Sequence, residues 1–551
     1  MEPSTSRFSE PAHDTVETDV LIVGGGMTGA GIMRDLALRG IHSTLIDRRD
    51  LCAGASGGNH GLLHSGARYV SNDRESAVQC RRENVLLRRL ARRCIEPTGG
   101  LFVAIDGDDP DFAAAFPQWC SVAGIACELV TPDEARRLEP HLSERIIAAY
   151  RVDDATVDPF RLALQHVAHA GSLTGSSYRP HSDLIAFDHD NDQLTSAICR
   201  DSRTGALLRI RARQFVNAGG AWAGRIAQLA GCPDVHLRYS KGTLLISHDR
   251  LTNHVVNRLR PPADGDILVP GGTVSVLGTT SLRIDDPDLA VPTVAEVDRN
   301  IAEGAMMLPV LATTRYLRAF SRVRPLLPAG DDGDDRHAVR GFALYDHQGD
   351  GLTNFCTITG GKLTTFRLMA QQAADLVAAR LGNTTSGRTD TTPLPEDDSC
   401  RWTEPGAAPR YWHLAGNRDD MVLCECEMVP QSAIDEIVRC APGAEEEMTL
   451  EAIALRSRAG KGPCQGSFCG IRIASYLYDR GHYRDRTGLQ HMRDFFNERF
   501  KGMRTVIRGP QAAQMELAEA LHCGVLGLDA LDDEDDRDPL TQRLETGATD
   551  D

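Results

Sequence analysis

The sequence predicts an α/β protein, α+β overall: a Rossmann-like dinucleotide-binding domain with an inserted, mostly antiparallel domain, followed by a small helical domain. Three observations support this fold class. They are a glycine-rich βαβ pattern near the N-terminus, two more glycine patches far along the chain, and two close cysteine pairs near the C-terminus. The 551 residues suffice for several domains. The composition, 41% apolar and 25% charged, is typical of a globular protein and excludes a disordered or fibrous one.

The βαβ pattern begins with an apolar run that enters a glycine turn, continues as an amphipathic helix, and ends in a second apolar run closed by Asp47. Gly24 is expected to make the tight turn, and Gly26 to let the backbone approach a pyrophosphate at the helix N-terminus. Gly29 is expected to allow close helix–strand packing, and Asp47 to accept hydrogen bonds from ribose hydroxyls. The alternative is a tight turn in an unrelated α/β protein.

Glycine-rich segments elsewhere favour FAD over a nicotinamide cofactor. A loop rich in Gly, Ser and Asn occupies residues 54–69, and two glycine pairs follow strand-like runs much later in the chain. A nicotinamide-binding domain is usually one contiguous unit, whereas a long extended dinucleotide needs such distant segments. The residues expected to contact FAD are Gly24, Gly26, Gly29, Asp47, Ser56, Asn59, Gly61, Gly219, Gly220, Gly360 and Gly361.

Charge and hydropathy exclude other classes. The net charge of −17 argues against a nucleic-acid partner, since such proteins neutralise phosphates with a basic surface. No apolar run is long enough to span a bilayer, and residues 1–18 lack the apolar core of a secretory signal. The 15 scattered cysteines indicate a reducing, cytoplasmic environment rather than a disulfide framework. Peripheral membrane association stays open.

Several segments together resemble the FAD-dependent glycerol-3-phosphate dehydrogenase family, a branch of the flavin enzymes with the D-amino-acid-oxidase type of fold. The resemblance covers nearly the whole chain. It implies oxidation of glycerol 3-phosphate to dihydroxyacetone phosphate by hydride transfer to FAD. The segments that carry it include residues 64–69, 156–161, 241–246, 277–283 and 360–364.

Fixed cations suit the phosphate dianion of such a substrate, because a guanidinium binds phosphate with two parallel hydrogen bonds. The resemblance implies that Arg68, Arg324, Arg340 and Lys362 approach the substrate. The general base is predicted to be His64, with a second histidine, His254, as the alternative.

Two cysteine pairs near the C-terminus suggest metal binding. The residues Cys424, Cys426, Cys464 and Cys469 form a C-x-C and a C-x4-C motif, and four thiolates can hold a [2Fe–2S] cluster or a zinc ion. Four unliganded thiols are a further alternative. The pattern resembles the domain of bacterioferritin-associated ferredoxin, which binds [2Fe–2S], although that domain ends in C-x2-C. It also resembles the anaerobic branch of the dehydrogenase family.

That second resemblance implies partner flavin and iron–sulfur subunits, one of them a membrane anchor, that pass electrons to quinone. The chain would then lie in the cytoplasm, peripherally on the inner face of the cell membrane. Two other functions stay open: an oxidase or dehydrogenase of another hydroxy or amino acid, such as an opine-type subunit, and a non-catalytic electron-transfer subunit.

The predicted domain organisation has six parts. They are a disordered N-terminal tail (1–18), an FAD-dependent oxidoreductase domain (19–382) with the substrate domain inserted at about 236–340, a linker (383–418), a ferredoxin-like [2Fe–2S] domain (419–475), a helical segment (476–528) and an acidic tail (529–551).

Lysine is rare: only four of the 60 basic residues are lysines, and each stands beside a glycine. Lys241, Lys362 and Lys461 fall inside motifs assigned on other grounds, whereas Lys501 does not. We expect lysine at these positions because a compact ammonium fits where a guanidinium would not.

Overall fold

The first strand of the protein begins earlier than predicted. The structure, a computed structural model, describes residues 14–328, 341–396, 400–440 and 448–531. Residues 14–18, assigned above to a disordered tail, belong to the strand Asp14–Val23 because they pair with a parallel neighbour. The rest of that tail, Arg340 and almost all of the acidic tail lie outside the described residues. The chain forms two units, the first ending at Cys400 and the second beginning at Arg401.

The first unit contains twenty strands and eight α-helices within the described residues. The strands are β1 (Asp14–Val23), β2 (Ser43–Ile46), β3 (Leu62–Leu63), β4 (Ile95–Glu96), β5 (Gly100–Ile105), β6 (Cys127–Val130), β7 (Ile146–Val152), β8 (Ala155–Val157), β9 (Ser177–Arg179), β10 (Ser182–Asp190), β11 (Gln193–Asp201), β12 (Leu207–Asn217), β13 (Arg238–Ser247), β14 (Val255–Arg258), β15 (Ile267–Gly271), β16 (Val274–Gly278), β17 (Leu282–Ile284), β18 (Tyr316–Leu326), β19 (Phe342–Asp346) and β20 (Phe355–Gly360). The helices are α1 (Met27–Leu38), α2 (Arg74–Leu90), α3 (Pro110–Val122), α4 (Pro132–Leu138), α5 (Pro159–Thr174), α6 (Ala223–Leu229), α7 (Val294–Met307) and α8 (Phe366–Arg380).

An eight-stranded sheet carries the predicted βαβ unit, which is confirmed as β1, α1 and β2. Strand β1 lies in the middle of this sheet and pairs in parallel with β2 on one side and β12 on the other. Its apolar residues Val20, Leu21 and Ile22 are fully buried. Helix α1 is buried almost all round, because α5 and α8 pack against it. Strand β20 pairs in parallel with the end of β12, and the carboxyl ends of these strands meet at one edge.

A second, nine-stranded sheet corrects the predicted limits of the substrate domain. Strands β13–β18 fall within the predicted insertion, but β5, β6 and β7 join the same sheet from residues 100–152. The link is the pairing of β5 with β14, which is the one parallel pair in this otherwise antiparallel sheet of the described residues. The hairpin between β15 and β16 turns at residues 272–273.

Part of the predicted linker, residues 383–396, packs on the first unit. The Thr389 hydroxyl donates to Asp35 and accepts from Arg367, and the Arg39 guanidinium donates to the Thr385 carbonyl. These side-chain hydrogen bonds join the segment to α1 and α8. The composition of the segment gave no sign of them.

The second unit is mostly helical. Its elements are α9 (Ala407–Ala415), β21 (Val422–Cys424), β22 (Val429–Pro430), α10 (Gln431–Arg439), α11 (Leu450–Arg456), α12 (Cys469–Asp479), α13 (Thr487–Met503) and α14 (Pro510–Glu519). One apolar cluster runs from Trp402 to Leu528 and includes Phe495, Phe496 and Phe500 of α13. The predicted division near residue 475 therefore crosses a single core. Within the described residues, each helix is too short or too polar to cross a bilayer.

Candidate active site and cysteine site

A cavity of about 550 Å³ opens at the carboxyl ends of β1, β2 and β12 and extends to the second sheet. Its size lies in the range of cofactor and ligand sites. Of the residues predicted to contact FAD, nine line this cavity: Gly24, Gly26, Asp47, Ser56, Asn59, Gly219, Gly220, Gly360 and Gly361. The structure therefore brings together segments that are more than 300 residues apart in the chain.

The turn after β1 requires glycine. Gly24 has φ +116°, and a Cβ atom there would lie 2.5 Å from the Ala218 carbonyl oxygen at the end of β12. A Cβ atom on Gly29 would overlap the Gly24 carbonyl oxygen, which explains the close approach of α1 to the turn. Gly29 does not line the cavity but shapes the turn that does. These constraints fit a site where backbone approaches a pyrophosphate.

Asp47 and Ser56 fix the two sides of this turn. The Asp47 carboxylate accepts hydrogen bonds from the Gly25 and Arg49 backbone N–H groups, at 2.7 and 2.8 Å. Burial nevertheless raises the pKa of Asp47 above its ordinary value, against those hydrogen bonds and the Arg49 charge. The Ser56 hydroxyl accepts from the Met27 N–H at 3.0 Å and so lies at the N-terminus of α1.

Asn59 and Gly61 shape the loop between β2 and β3. The Asn59 amide donates to the Ala55 and Ser56 carbonyls and accepts from the Gly61 N–H at 2.7 Å. Gly61 is not among the described residues that line the cavity. It has φ +73°, and a Cβ atom there would lie 2.8 Å from the Val157 carbonyl oxygen. Both residues therefore hold the loop in shape.

Three of the four predicted cations line the far end of the cavity, each with a hydrogen-bonding partner. Arg68 forms an ion pair with buried Asp266 at 3.0 Å. Arg324 donates to the Thr279 hydroxyl at 2.9 Å. The Lys362 ammonium donates to Ser76 at 2.7 Å and lies 4.6 Å from the centre of the Tyr69 ring. The fourth, Arg340, lies outside the described residues.

The histidines among the described cavity-lining residues are His60 and His64. Burial, with the nearby charges of Arg68 and Lys362, lowers the pKa of His64 to about 3, so this imidazole is neutral. The alternative base, His254, instead places its Nδ1 atom 2.6 Å from Oε1 of buried Glu139. His60 was not among the predicted site residues, and burial also lowers its pKa to about 3. Its signal was its place in the same loop, four residues before His64.

Other residues of the site gave no signal in the sequence. Asp266 and Ser76, which hold two of the cations, belong to no recognisable motif. Tyr69 ends the segment 64–69 and was not predicted as a site residue, yet its ring lies under Lys362. Partners of this kind become visible only when distant strands and helices come together.

The four predicted metal ligands lie together in the second unit. The sulfur atoms of Cys426 and Cys464 are 3.4 Å apart, and Cys469 hydrogen-bonds with both Cys424 and Cys464. Those hydrogen bonds from Cys469 lower the pKa of Cys464 to about 5 and that of Cys424 to about 7. They raise the pKa of Cys469 itself. Burial also raises the pKa of Cys426 to about 11. Two of the four thiols therefore lose their protons readily, and thiolates are the form that binds metal.

Comparisons with known proteins identify the family. The model of the FAD dependent oxidoreductase family matches residues 19–376. The A subunit of anaerobic glycerol-3-phosphate dehydrogenase from Escherichia coli K12 is 39% identical, over 94% of this chain and 98% of its own. The protein of the same name from Haemophilus influenzae is 37% identical, over 97% and 96%.

Solved structures show the same fold. Glycerol-3-phosphate dehydrogenase from Bacillus halodurans, complexed with FAD, aligns with a TM-score of 0.60 and 19% identity over 90% of this chain and 96% of its own. L-α-glycerophosphate oxidase from Mycoplasma pneumoniae, with FAD bound, aligns with a TM-score of 0.53 and 18% identity over 69% and 100%. The predicted D-amino-acid-oxidase type of fold is confirmed. The chain belongs to the FAD-dependent oxidoreductase family and, within it, to the anaerobic glycerol-3-phosphate dehydrogenase A subunits.

Proposed function

We propose that this protein is the catalytic subunit of a quinone-linked dehydrogenase that oxidises sn-glycerol 3-phosphate to dihydroxyacetone phosphate. The observation that carries the proposal is the cavity lining, which includes Arg68, Arg324 and Lys362. Neutral His64 lines the same cavity, within electrostatic reach of Arg68 and Lys362. Three cations suit a phosphate dianion, and a neutral imidazole suits a hydroxyl proton. The relatives named for this activity support the same assignment.

The residues at the near end of the cavity fit FAD. The glycine turn at Gly24 and Gly26 would lie against the pyrophosphate, with Asp47 placed for the ribose and the glycine pairs of β12 and β20 flanking the rest. When bound, FAD supplies the acceptor for the hydride that leaves C2 of the substrate.

The side chains at the far end of the cavity have separate roles in the reaction. Arg324 and Arg68 bind the phosphate through charge-assisted hydrogen bonds, which hold C2 in one orientation. His64 accepts the proton of the C2 hydroxyl at an unprotonated ring nitrogen, so that the oxygen is left as the carbonyl of the product. Lys362 lies beside this oxygen and opposes the negative charge that develops there. Its ammonium is kept in place by Ser76 and the Tyr69 ring.

For the cysteine site we propose a [2Fe–2S] cluster, with zinc as the alternative. A tetrahedral zinc ion would bring all four sulfur atoms to roughly 4 Å from one another. Among the described residues, any three of these sulfur atoms include at least one pair more than 4.8 Å apart. The sulfur contacts join Cys426 to Cys464, and Cys469 to both Cys464 and Cys424. This spacing is wider than one tetrahedral zinc ion requires, which supports two iron atoms.

The cluster gives electrons a route out of the protein. We propose that they pass to partner flavin and iron–sulfur subunits, one of which anchors the complex to the inner face of the membrane and delivers them to quinone. The relatives are named as the A subunits of their enzyme, which supports such an assembly. The exposed position of Cys426 leaves one ligand accessible to a partner.

Anaerobic reduction of the bound flavin tests the proposal. Glycerol 3-phosphate is expected to bleach the flavin absorbance of the purified protein, whereas hydroxy acids and amino acids leave it unchanged. Bleaching by a carboxylate substrate alone would favour an opine-type enzyme. Reduction only by an added electron-transfer partner would favour a non-catalytic role, and either result would refute the proposal.

A further inference from the structure

Arg324 contacts one face of strand β13, and the opposite face makes a different set of contacts. Successive residues of β13 alternate between the faces of the sheet. Ser240 and Gly242 face the Arg324 guanidinium: the Ser240 hydroxyl accepts from it at 3.4 Å, and a Cβ atom on Gly242 would overlap its Nη2 atom. Gly242 therefore leaves the space in which the guanidinium lies.

The opposite face of β13 holds a buried ion pair. The Lys241 ammonium donates to Glu296 of α7 at 2.8 Å and to the Val291 carbonyl at 2.8 Å. The Thr243 hydroxyl donates to the other carboxylate oxygen of Glu296 at 2.8 Å. Both charged side chains of the pair are less than a tenth exposed. The pair is thus almost enclosed and well hydrogen-bonded, so its geometry is closely constrained.

Thr280 connects the two faces. Its hydroxyl donates to Glu296 at 2.9 Å and accepts from the Thr243 N–H at 3.0 Å, while its carbonyl oxygen accepts from both terminal nitrogens of Arg324 at 3.3 Å. The neighbouring Thr279 hydroxyl also accepts from Arg324. Glu296 therefore fixes the turn that presents two of the acceptors of the guanidinium.

We infer that Glu296, acting through Thr280, and Gly242 are positioning residues that aim the Arg324 guanidinium into the cavity. The inference rests on the proposed function, because Arg324 is there assigned to the substrate phosphate. Lys241 is needed as the compact counter-ion of Glu296, which also accounts for one of the rare lysines. A guanidinium at that position would have to fit more donors into the same closed space.

Thr280→Val tests the connection, because valine keeps the shape of threonine but removes the hydroxyl. We expect KM for glycerol 3-phosphate to rise about tenfold with little change in kcat, as when an interaction made equally in the ground and transition states is lost. Thr280→Ser, which keeps the hydroxyl, should restore KM. Gly242→Ala should raise KM further, because the methyl group displaces the guanidinium directly.

Thr293→Val is the matched control. The Thr293 hydroxyl donates to Glu296 at 2.8 Å, compared with 2.9 Å for Thr280, but it donates to the other carboxylate oxygen and caps α7. This variant should lower the melting temperature without changing KM. An unchanged KM in Thr280→Val, or equal changes in Thr280→Val and Thr293→Val, would overturn the inference.

Arg324→Lys separates this failure from failure of the proposed function. If Arg324→Lys raises KM but Thr280→Val does not, the positioning inference alone is wrong. If Arg324→Lys also leaves KM unchanged, Arg324 does not bind the substrate, and both the substrate contact and the inference are refuted.

Discussion

The two ends of the cavity are built by different means. The end proposed for FAD is shaped by backbone, where Gly24 and Gly29 leave no room for a side chain. The end proposed for the substrate is shaped by side chains, each held by a partner: Arg68 by Asp266, and Lys362 by Ser76. A site shaped by backbone loses its ligand when a side chain is added at one of its glycines. A site shaped by side chains loses affinity gradually as the hydrogen-bonding partners are removed one by one. The cysteine site depends on side chains most strictly, since the sulfur atom of each cysteine would be the metal ligand.

Gly29→Ala is expected to have the largest effect. The added methyl group would overlap the Gly24 carbonyl oxygen, so α1 must move away from the turn. We expect FAD affinity to fall by about 100-fold or more, equivalent to roughly 3 kcal/mol. The flavin content after purification and a fluorescence titration of the flavin-free protein measure this. Gly349→Ala, at a position where a Cβ atom meets nothing within 4 Å, is the control. Full flavin content in Gly29→Ala would contradict the backbone description of this end.

Cys464→Ser should prevent metal binding at the proposed cysteine site and leave the flavin in place. Serine replaces the thiolate with a hydroxyl that does not ionise at neutral pH and so does not ligate iron. Iron analysis and the visible spectrum of the protein measure the loss. Cys440→Ser, at an exposed cysteine between the two pairs, should retain full metal content. Equal metal content in both variants would show that Cys464 is no ligand, and zinc in place of iron would decide for the alternative.

Lys362→Arg should impair turnover although it conserves charge. The ammonium lies between the Ser76 hydroxyl and the Tyr69 ring, and a planar guanidinium would displace one of them. We expect kcat/KM to fall about tenfold. Lys501→Arg, at a partly exposed position on α13, should leave kcat/KM unchanged. Equal activities of the two variants would count against a substrate-site role for Lys362.

The smallest effect concerns His64 and pH. Its pKa, about 3 in the folded protein, lies below the ordinary value of 6.5 because of burial and the neighbouring cations. Below pH 6.5 the unfolded chain therefore binds a proton that the folded protein does not, and stability falls as the pH falls toward 3. Between pH 7.5 and 5.5 this amounts to about 1 kcal/mol. Chemical unfolding at both pH values should show that His64→Gln loses less stability than the natural protein, and equal losses would refute the shift.

The backbone end could be predicted from sequence because its signal is local. The turn, α1 and the acid at Asp47 lie within 30 residues, and Gly29 is required by the carbonyl oxygen of Gly24 in the same turn. The limits of the second sheet could not be predicted from local signals. Its strands β5 and β14 are far apart in the chain and pair through residues such as Gly100 and Val255. No sequence pattern within either segment indicates that the two strands pair.

The same reason explains what was missed at the substrate end. The cations were proposed from a resemblance, but Asp266 and Ser76 lie far in the chain from the cations that they contact and carry no motif. Glu296 reaches Arg324 only through Thr280. His254 looked as suitable a base as His64 until its pairing with Glu139 became visible. The packing of residues 383–396 was not predicted for a related reason, because the hydrogen bonds of Thr389 depend on tertiary contacts.

The parallel pairing of β1 with β12 also determines when the protein can fold during synthesis. The paired residues Asp14 and Leu208 are about 190 residues apart. A ribosome adding roughly 5 to 20 residues each second needs about 10 to 40 seconds to produce the partner strand. During that time one edge of the central strand stays open while β2 covers the other. The glycine turn, made early, becomes a complete cofactor site only after Gly361 has been synthesised.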